Sequence, residues 1–310
     1  MWKMSDSIIT ADGLVKTYGD FTAVNGISFK VKKGEVFGVL GPNGAGKTTT
    51  LEMLVGLRKP DGGSADIGGF DVVKDLNNVK EVIGVQLQST TLFELLTVEE
   101  ILHLYASFYK KQIPIQPLIA DMLLTDKTKS RVKSLSGGQK QRLAIALALV
   151  HDPLIIFLDE PTTGLDPQAR RTLWDIIFSL KEKGKTVVLT THYMDEAHVL
   201  CDRIAIMDQG SLIALDTPSE LVRSLQSENA VEFRFEEDSA ALDLNTIEGV
   251  KQVGSQQDAM ILYTDQLQTT LTSLIQTADS HGLKLADLQI RTATLEDVFI
   301  HMTGRSLREA

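Results

Sequence analysis

The sequence predicts an α/β domain built on buried parallel strands, followed by a small α+β domain. Three observations carry this. Short continuous apolar runs at Val36 to Leu40, Leu154 to Leu158 and Thr186 to Thr190 alternate with helical patterns between Ile8 and about Leu225, as strands buried on both faces do. The stretch from Ile27 to Lys33 alternates in the manner of an antiparallel layer, and Arg203 to Leu215 reads as a hairpin around Asp208-Gln209-Gly210. After Leu225 the character changes: Ser224, Gln226, Ser227, Glu228 and Asn229 form a polar linker, which sets domain boundaries of 1–225 and 226–310. Strand-like stretches at Ala230 to Phe235, Val250 to Val253, Met260 to Tyr263 and Leu285 to Ile290 then surround a helical pattern from Gln266 to His281, an order of ferredoxin-like character.

The bulk numbers fit two domains. A chain of 310 residues exceeds a usual single domain, and 43% hydrophobic with 23% charged residues excludes a largely disordered chain. With 31 basic against 41 acidic residues the net charge is -10, a sign that phosphate backbones repel, so no nucleic-acid partner is expected. The densest basic cluster, Lys127, Lys129, Arg131 and Lys133, reads as a solvated loop or, alternatively, a local contact for such a backbone. Cys201 is the single cysteine, which excludes an internal disulfide and a cysteine-based zinc cluster. The longest apolar stretch, Leu143 to Val150, is far short of the roughly 20 residues that span a bilayer, and the N-terminus has no signal-peptide core. A membrane role would therefore run through a partner.

The chemistry begins at Gly41-Pro42-Asn43-Gly44-Ala45-Gly46-Lys47-Thr48, with Thr49 behind it, which fits the P-loop pattern. It sits after a buried strand and before a helix beginning near Lys47. Glycines let successive N–H groups curl inward around a phosphate, and the helix N-terminus adds its positive dipole end. Lys47 neutralises the β- and γ-phosphates of a nucleoside triphosphate and Thr48 offers a hydroxyl to Mg²⁺. Asp159 ends the run Leu154 to Leu158, so it emerges at the carboxyl edge of a strand beside the P-loop, where it can hold Mg²⁺ through water. Glu160 follows and is placed to polarise an attacking water as general base. His192 comes after another buried strand, in Thr190-Thr191-His192-Tyr193, and reaches the same edge, where it can contact the γ-phosphate and orient Glu160.

Leu135-Ser136-Gly137-Gly138-Gln139, followed by an apolar helix, separates these motifs. Ser136 caps a helix whose N-terminus faces an anion, and the Gly-Gly pair permits close approach. Here the chain resembles the ABC ATPase family, whose signature this pentapeptide is. The resemblance covers Ile8 to about Leu225. It implies a P-loop NTPase domain with an antiparallel β subdomain and a helical subdomain carrying the signature. It also implies ATP and Mg²⁺ as cofactors. Tyr18 matches the aromatic that stacks on adenine; read from its residues alone it serves equally as turn packing. Gln88 in Val85-Gln86-Leu87-Gln88 matches the glutamine that touches Mg²⁺ and the attacking water, with Gln86 as the other register. Asp166 in Gly164-Leu165-Asp166 matches a residue at the subunit interface, or simply caps the next helix.

Because each motif occurs once, the resemblance implies a homodimer in which the P-loop of one copy and the signature of the other enclose each ATP. It further implies a separate polytopic transmembrane permease and a cytoplasmic, peripheral place on the inner face of the cell membrane. Thr294-Leu295-Glu296-Asp297-Val298-Phe299, running on to Gly304-Arg305, resembles the ending of ATPase subunits of ABC-2-type exporters for drugs, polysaccharides or sodium. The C-terminal domain then packs against a flank or serves dimer stability or regulation. The expected function is ATP hydrolysis powering export; the alternative is a soluble ABC ATPase acting on nucleic acid or ribosomes.

Overall fold

A computed structural model describes residues 7–88, 91–225, 229–235, 242–256 and 259–303. Linker residues Gln226, Ser227 and Glu228, and Gly304 and Arg305 of the tail, lie outside the described residues. The chain divides into two compact units, 1–214 and 215–310. The division thus falls ahead of the polar stretch at Leu225.

In the first unit, β1 (Ser7–Tyr18), β2 (Phe21–Lys32), β4 (Gly62–Ile67) and β5 (Phe70–Asp71) form an antiparallel sheet in the order β2-β1-β4-β5. The alternation of β2, with Ile27, Phe29 and Val31 buried and the residues between them exposed, gives it one dry face. The second sheet runs β10-β9-β3-β8-β7-β6, with β3 (Val36–Leu40), β6 (Ile83–Gln86), β7 (Ile155–Asp159), β8 (Thr186–Thr191), β9 (Arg203–Asp208) and β10 (Ser211–Asp216). Its pairs β6/β7, β7/β8, β8/β3 and β3/β9 are parallel. β3, β7 and β8 are buried along their whole length, which is why their sequence is continuous and apolar where a one-faced strand alternates. The β9–β10 turn is the expected hairpin, with Gln209 and Gly210 at φ 45° and 76° as a two-residue turn between twisted strands requires.

Helices α1 (Lys47–Leu54), α2 (Leu76–Val82), α6 (Pro167–Glu182) and α7 (Met194–Leu200) connect these strands. α3 (Val98–Ala106), α4 (Ile115–Asp121) and α5 (Gly137–Leu149) pack on one another as a helical layer between β6 and β7. In the basic stretch read as a solvated loop, Lys129 pairs with Glu99 and Lys127 with Asp126. Cys201 is buried with a free thiol under Gly38, where a Cβ would meet its Sγ at 2.6 Å.

The second unit holds α8 (Pro218–Arg223), β11 (Asn229–Phe235), β12 (Val250–Gln256), β13 (Ala259–Thr264), α9 (Leu267–Ser280), β14 (Leu285–Thr292) and α10 (Leu295–Thr303). Its antiparallel order β12-β13-β11-β14 is that of a ferredoxin-like sheet. The connection from β11 to β12 departs from that pattern: among the described residues it carries only a 3₁₀ turn, Leu244–Thr246. Val231, Phe233, Leu262 and Leu274 form the core on the α9 side.

Fully buried Asp297 fixes α10. Its carboxylate accepts both guanidinium arms of Arg291 at 2.6 and 2.8 Å, the Tyr263 hydroxyl at 2.7 Å and the Thr294 amide at 2.7 Å. Burial alone would raise its pKa; the Arg291 and Tyr263 hydrogen bonds outweigh it and hold it below the ordinary aspartate range. A depressed carboxylate contributes stability that is complete above the unfolded value of about 4 and is lost as pH falls through the folded one. Asp297→Asn removes the bidentate partner of Arg291 and leaves it Glu232 alone, at a cost of about 3 kcal/mol. At pH 7 amide exchange across α10 should therefore accelerate on the order of a hundredfold, and the gap to wild type should narrow below about pH 4.

Candidate functional site

Phosphate-sized geometry starts with backbone. β3 ends at Leu40, and residues 41–46 turn back into α1, which carries neither a side-chain cap nor a first-turn acid. Its N-terminal amides and dipole are thus left for an anion. Gly44 and Gly46 take φ of 80° and 96°, which glycine adopts without steric cost. Gly41 and Gly46 also lie against neighbouring backbone, where a Cβ would stand 2.3 Å from the Met207 carbonyl and 2.4 Å from that of Ala23. Ala45 is buried, its amide donating to the Pro42 carbonyl at 3.2 Å; Asn43 and Gly44 are exposed, and Thr49 is half-buried.

Lys47 is 5% exposed and donates to the carbonyls of Gly41 and Pro42, both at 2.9 Å. Its Nζ lies 3.4 Å from Glu160 Oε1. Burial pushes the lysine pKa down, and the carboxylates of Glu160 and Asp159 work against that shift. Thr48 Oγ1 and Thr190 Oγ1 donate to Asp159 Oδ1 at 3.2 and 2.5 Å. Burial pushes the Asp159 carboxyl up against these hydroxyls. The strand bearing Asp159 is not the P-loop strand's neighbour, as its place beside the P-loop suggested. β8 lies between them, and Asp159 reaches Thr48 because α1 packs over both β7 and β8.

Glu160 is the centre of the constellation. It has φ 47°, a strained value for a non-glycine residue, fixed by its amide donating to Thr190 at the carbonyl (3.2 Å) and hydroxyl (3.0 Å). Its Oε2 accepts from Gln88 Nε2 at 3.2 Å and Thr163 Oγ1 at 3.1 Å. His192 Nδ1 stands 3.3 Å away, an ion-pair distance without the alignment of a hydrogen bond. Burial opposes the charged form, but Lys47 and His192 outweigh it, with Thr163, and hold the carboxyl below the ordinary glutamate range. Gln88, and not Gln86, reaches this carboxylate. Gln86 is buried in β6 with its amide donating to the Leu87 carbonyl.

The second group of sequence-read residues lies elsewhere on the first unit. Ser136 caps α5 in a reciprocal box with Gln139, the Gln139 amide donating to Ser136 Oγ at 3.3 Å and the Ser136 amide to Gln139 Oε1 at 2.9 Å. Gly137 and Gly138 occupy the first helical positions, where amides lack intrahelical acceptors. Asp166 caps α6 by accepting from the amides of Gln168 and Ala169 at 3.0 and 2.9 Å. These residues line one depression of about 230 Å³. Among the described residues no hydrogen bond or ion pair joins them to the P-loop. Tyr18 also stands apart, 40% exposed at the end of β1, with Arg58 and Lys16 stacked 5.5 and 5.7 Å from its ring centre.

Sequence reading missed Thr190 and Thr163, which position the two acids. Thr190 carried a signal, a hydroxyl closing an otherwise apolar run; Thr163 had none beyond its nearness to Glu160. The donor set fits the implied ligands: a buried ammonium and free helix-end amides suit phosphate, and hydroxyl with carboxylate oxygens suits a hard cation such as Mg²⁺.

A phosphate cradle at the carboxyl edge of a parallel sheet, facing paired carboxylates, defines a P-loop nucleoside triphosphatase. The ABC transporter family profile matches residues 24–163. The Nod factor export ATP-binding protein I of Ralstonia nicotianae is 37% identical over 98% of this chain and 96% of its own length. The linearmycin resistance ATP-binding protein LnrL of Bacillus subtilis is 35% identical over 97% and 100%. Among solved structures, a dimeric ATP-binding cassette in a post-hydrolysis state bound to ADP and phosphate superposes with a TM-score of 0.61 at 29% identity, over 67% of this chain and 98% of that one. The chain belongs to the family of ABC transporter ATP-binding proteins, and it is an ATPase.

The cradle's tolerance can be tested at two glycines. Gly46→Ala meets both strain and the Ala23 carbonyl, so ATP affinity should fall at least about tenfold in equilibrium binding, with a lowered Tm. Gly44→Ala meets open space and should lose clearly less.

Proposed function

We propose that two copies of this chain enclose ATP and Mg²⁺ between the P-loop of one and the signature of the other, and drive export through a separate transmembrane permease. The observation that carries this is the separation of two complementary half-sites on one unit. Lys47, Thr48, Asp159, Glu160, Gln88 and His192 converge at the strand edge, while Ser136 and Asp166 share a separate depression. A two-fold pair gives each half-site its complement. Tyr18 supplies a face for adenine in this arrangement.

Lys47 and the loop amides hold the β- and γ-phosphates in place. Thr48, Gln88 and, through water, Asp159 would hold Mg²⁺, which would supply positive charge against the transferred phosphoryl group. Glu160, kept ionised beside Lys47 and His192, accepts the proton of the attacking water. Gln88 and His192, both on its Oε2 side, fix the direction of that oxygen.

Among the described residues no helix is long and apolar enough to cross a membrane. Export in this scheme runs through a membrane partner, with the chain at the inner membrane face. The names of its relatives, Nod factor export and linearmycin resistance, support the direction. Support for docking comes from an open apolar groove of about 680 Å³, where Tyr105 and Phe108 of the helical layer face Val85 and Leu87. Leu87 adjoins Gln88, so this groove abuts the strand that ends at the catalytic edge. The alternative on nucleic acid or ribosomes has no observation in its favour.

Glu160→Gln should bind ATP, hydrolyse it about 10²- to 10⁴-fold more slowly and accumulate as a dimer with Mg-ATP on size exclusion. Turnover at the wild-type rate would remove Glu160 from the general-base role. Capturing the tagged chain from native membranes should retain a polytopic protein. Phe108→Asp, which puts a charge on the 69% exposed ring position, should release it without altering ATP binding.

A further inference from the structure

His192 stands close to Glu160, yet among the described residues its Nδ1 has no aligned hydrogen-bond partner. It lies on the short link between β8 and α7 and is partly open to solvent. A ring so placed takes its direction from what it leans on. That support is Tyr193, whose ring centre is 4.1 Å from that of His192 at an interplanar angle of 41°. Tyr193 is anchored in turn, its amide donating to Thr191 Oγ1 at 3.0 Å and its ring lying 4.5 Å from the guanidinium carbon of Arg170. That distance is well inside cation–π range. Among the described residues Arg170 Nε is buried without a hydrogen-bond partner; its guanidinium stacks on Tyr193 and also lies within electrostatic reach of buried Glu196.

Arg170 belongs to the first turn of α6. Its amide donates to the Asp166 carbonyl at 3.0 Å, and its neighbour Ala169 touches the signature glycine Gly138 so closely that a Cβ there would lie 3.0 Å from Ala169 Cβ. A second tie holds the two helices together, the Trp174 indole on α6 donating to buried Glu196 on α7 at 3.3 Å. We propose that Tyr193 and Arg170 are positioning residues for hydrolysis, linking the α6 N-terminal turn, where Asp166 and the signature meet, to the ring of His192. The inference rests on His192 orienting Glu160, as argued above. A displacement of the α6 turn then reaches the catalytic edge through two side-chain contacts, so engagement of Asp166 by a second copy is felt at Glu160.

Steady-state ATPase measurements in the wild-type and His192→Ala backgrounds test this. Tyr193→Ala should lower kcat by on the order of tenfold with KM for ATP within about twofold, because misplacement of a reacting geometry costs rate and not nucleotide binding. Tyr193→Phe keeps the ring and should restore turnover. Arg170→Ala should cost several-fold, and the double variant should be no slower than Tyr193→Ala, the non-additivity of a shared contact. In a His192→Ala background both substitutions should change kcat by less than about twofold. If Tyr193→Ala remains fully active while His192→Ala is slow, or still costs tenfold in the His192→Ala background, the positioning role is overturned. If His192→Ala itself turns over at the wild-type rate, the reading of His192 fails instead.

Discussion

Lys47 and Glu160 lie 3.4 Å apart, each largely withdrawn from water, and the architecture of the first unit follows from making that pair tolerable. A buried ammonium with no carboxylate, or the reverse, would neutralise itself or destabilise the fold. The sheet resolves this by ending β3, β7 and β8 at one edge, so that the lysine, the two acids and the histidine share a single electrostatic compartment. Two carbonyls of the loop take the remaining lysine protons, and threonine hydroxyls take the carboxylate lone pairs. The groups that satisfy one another here are those that the proposed site offers to ATP and a hard cation.

The backbone carries part of the cost of that arrangement. Glu160 holds a left-handed conformation that its amide contacts to Thr190 over-determine, a pattern that belongs to sites where geometry outranks local comfort. At the loop, glycine is required for two different reasons: conformation at Gly44, and conformation with close approach at Gly46. The signature end needs less. Ser136 and Asp166 are ordinary helix caps whose local chemistry is already satisfied, so their wider meaning depends on what stands opposite them.

The second unit is built on another principle. Its sheet buries an apolar core against α9, and its terminal helix, which buries Leu295, Val298, Phe299 and Ile300, is further secured by one dense polar knot around Asp297. Such a knot specifies a single seat for α10, because a half-satisfied version would leave Arg291 with Glu232 alone and two of its guanidinium nitrogens without their carboxylate. The resemblance of the tail to exporter ATPases thus falls on a segment whose acid has a definite structural task.

The sequence by itself determined the phosphate loop, the acids after β7, the histidine after β8 and the capped signature helix, because each is a local pattern whose chemistry is set by neighbours a few residues away. It also determined the two fold classes, through continuous apolar runs and alternating ones. Only the tertiary structure decided that β8 lies between β3 and β7, that Gln88 and not Gln86 reaches Glu160, and that Thr190 serves both acids. Those facts depend on strand order and register, which join positions from 30 to about 150 residues apart and leave no trace in local spacing. The contact of Arg170 with Tyr193 is of the same kind: a cation and a ring with nothing in sequence to join them, brought together because α6 and α7 pack on one another.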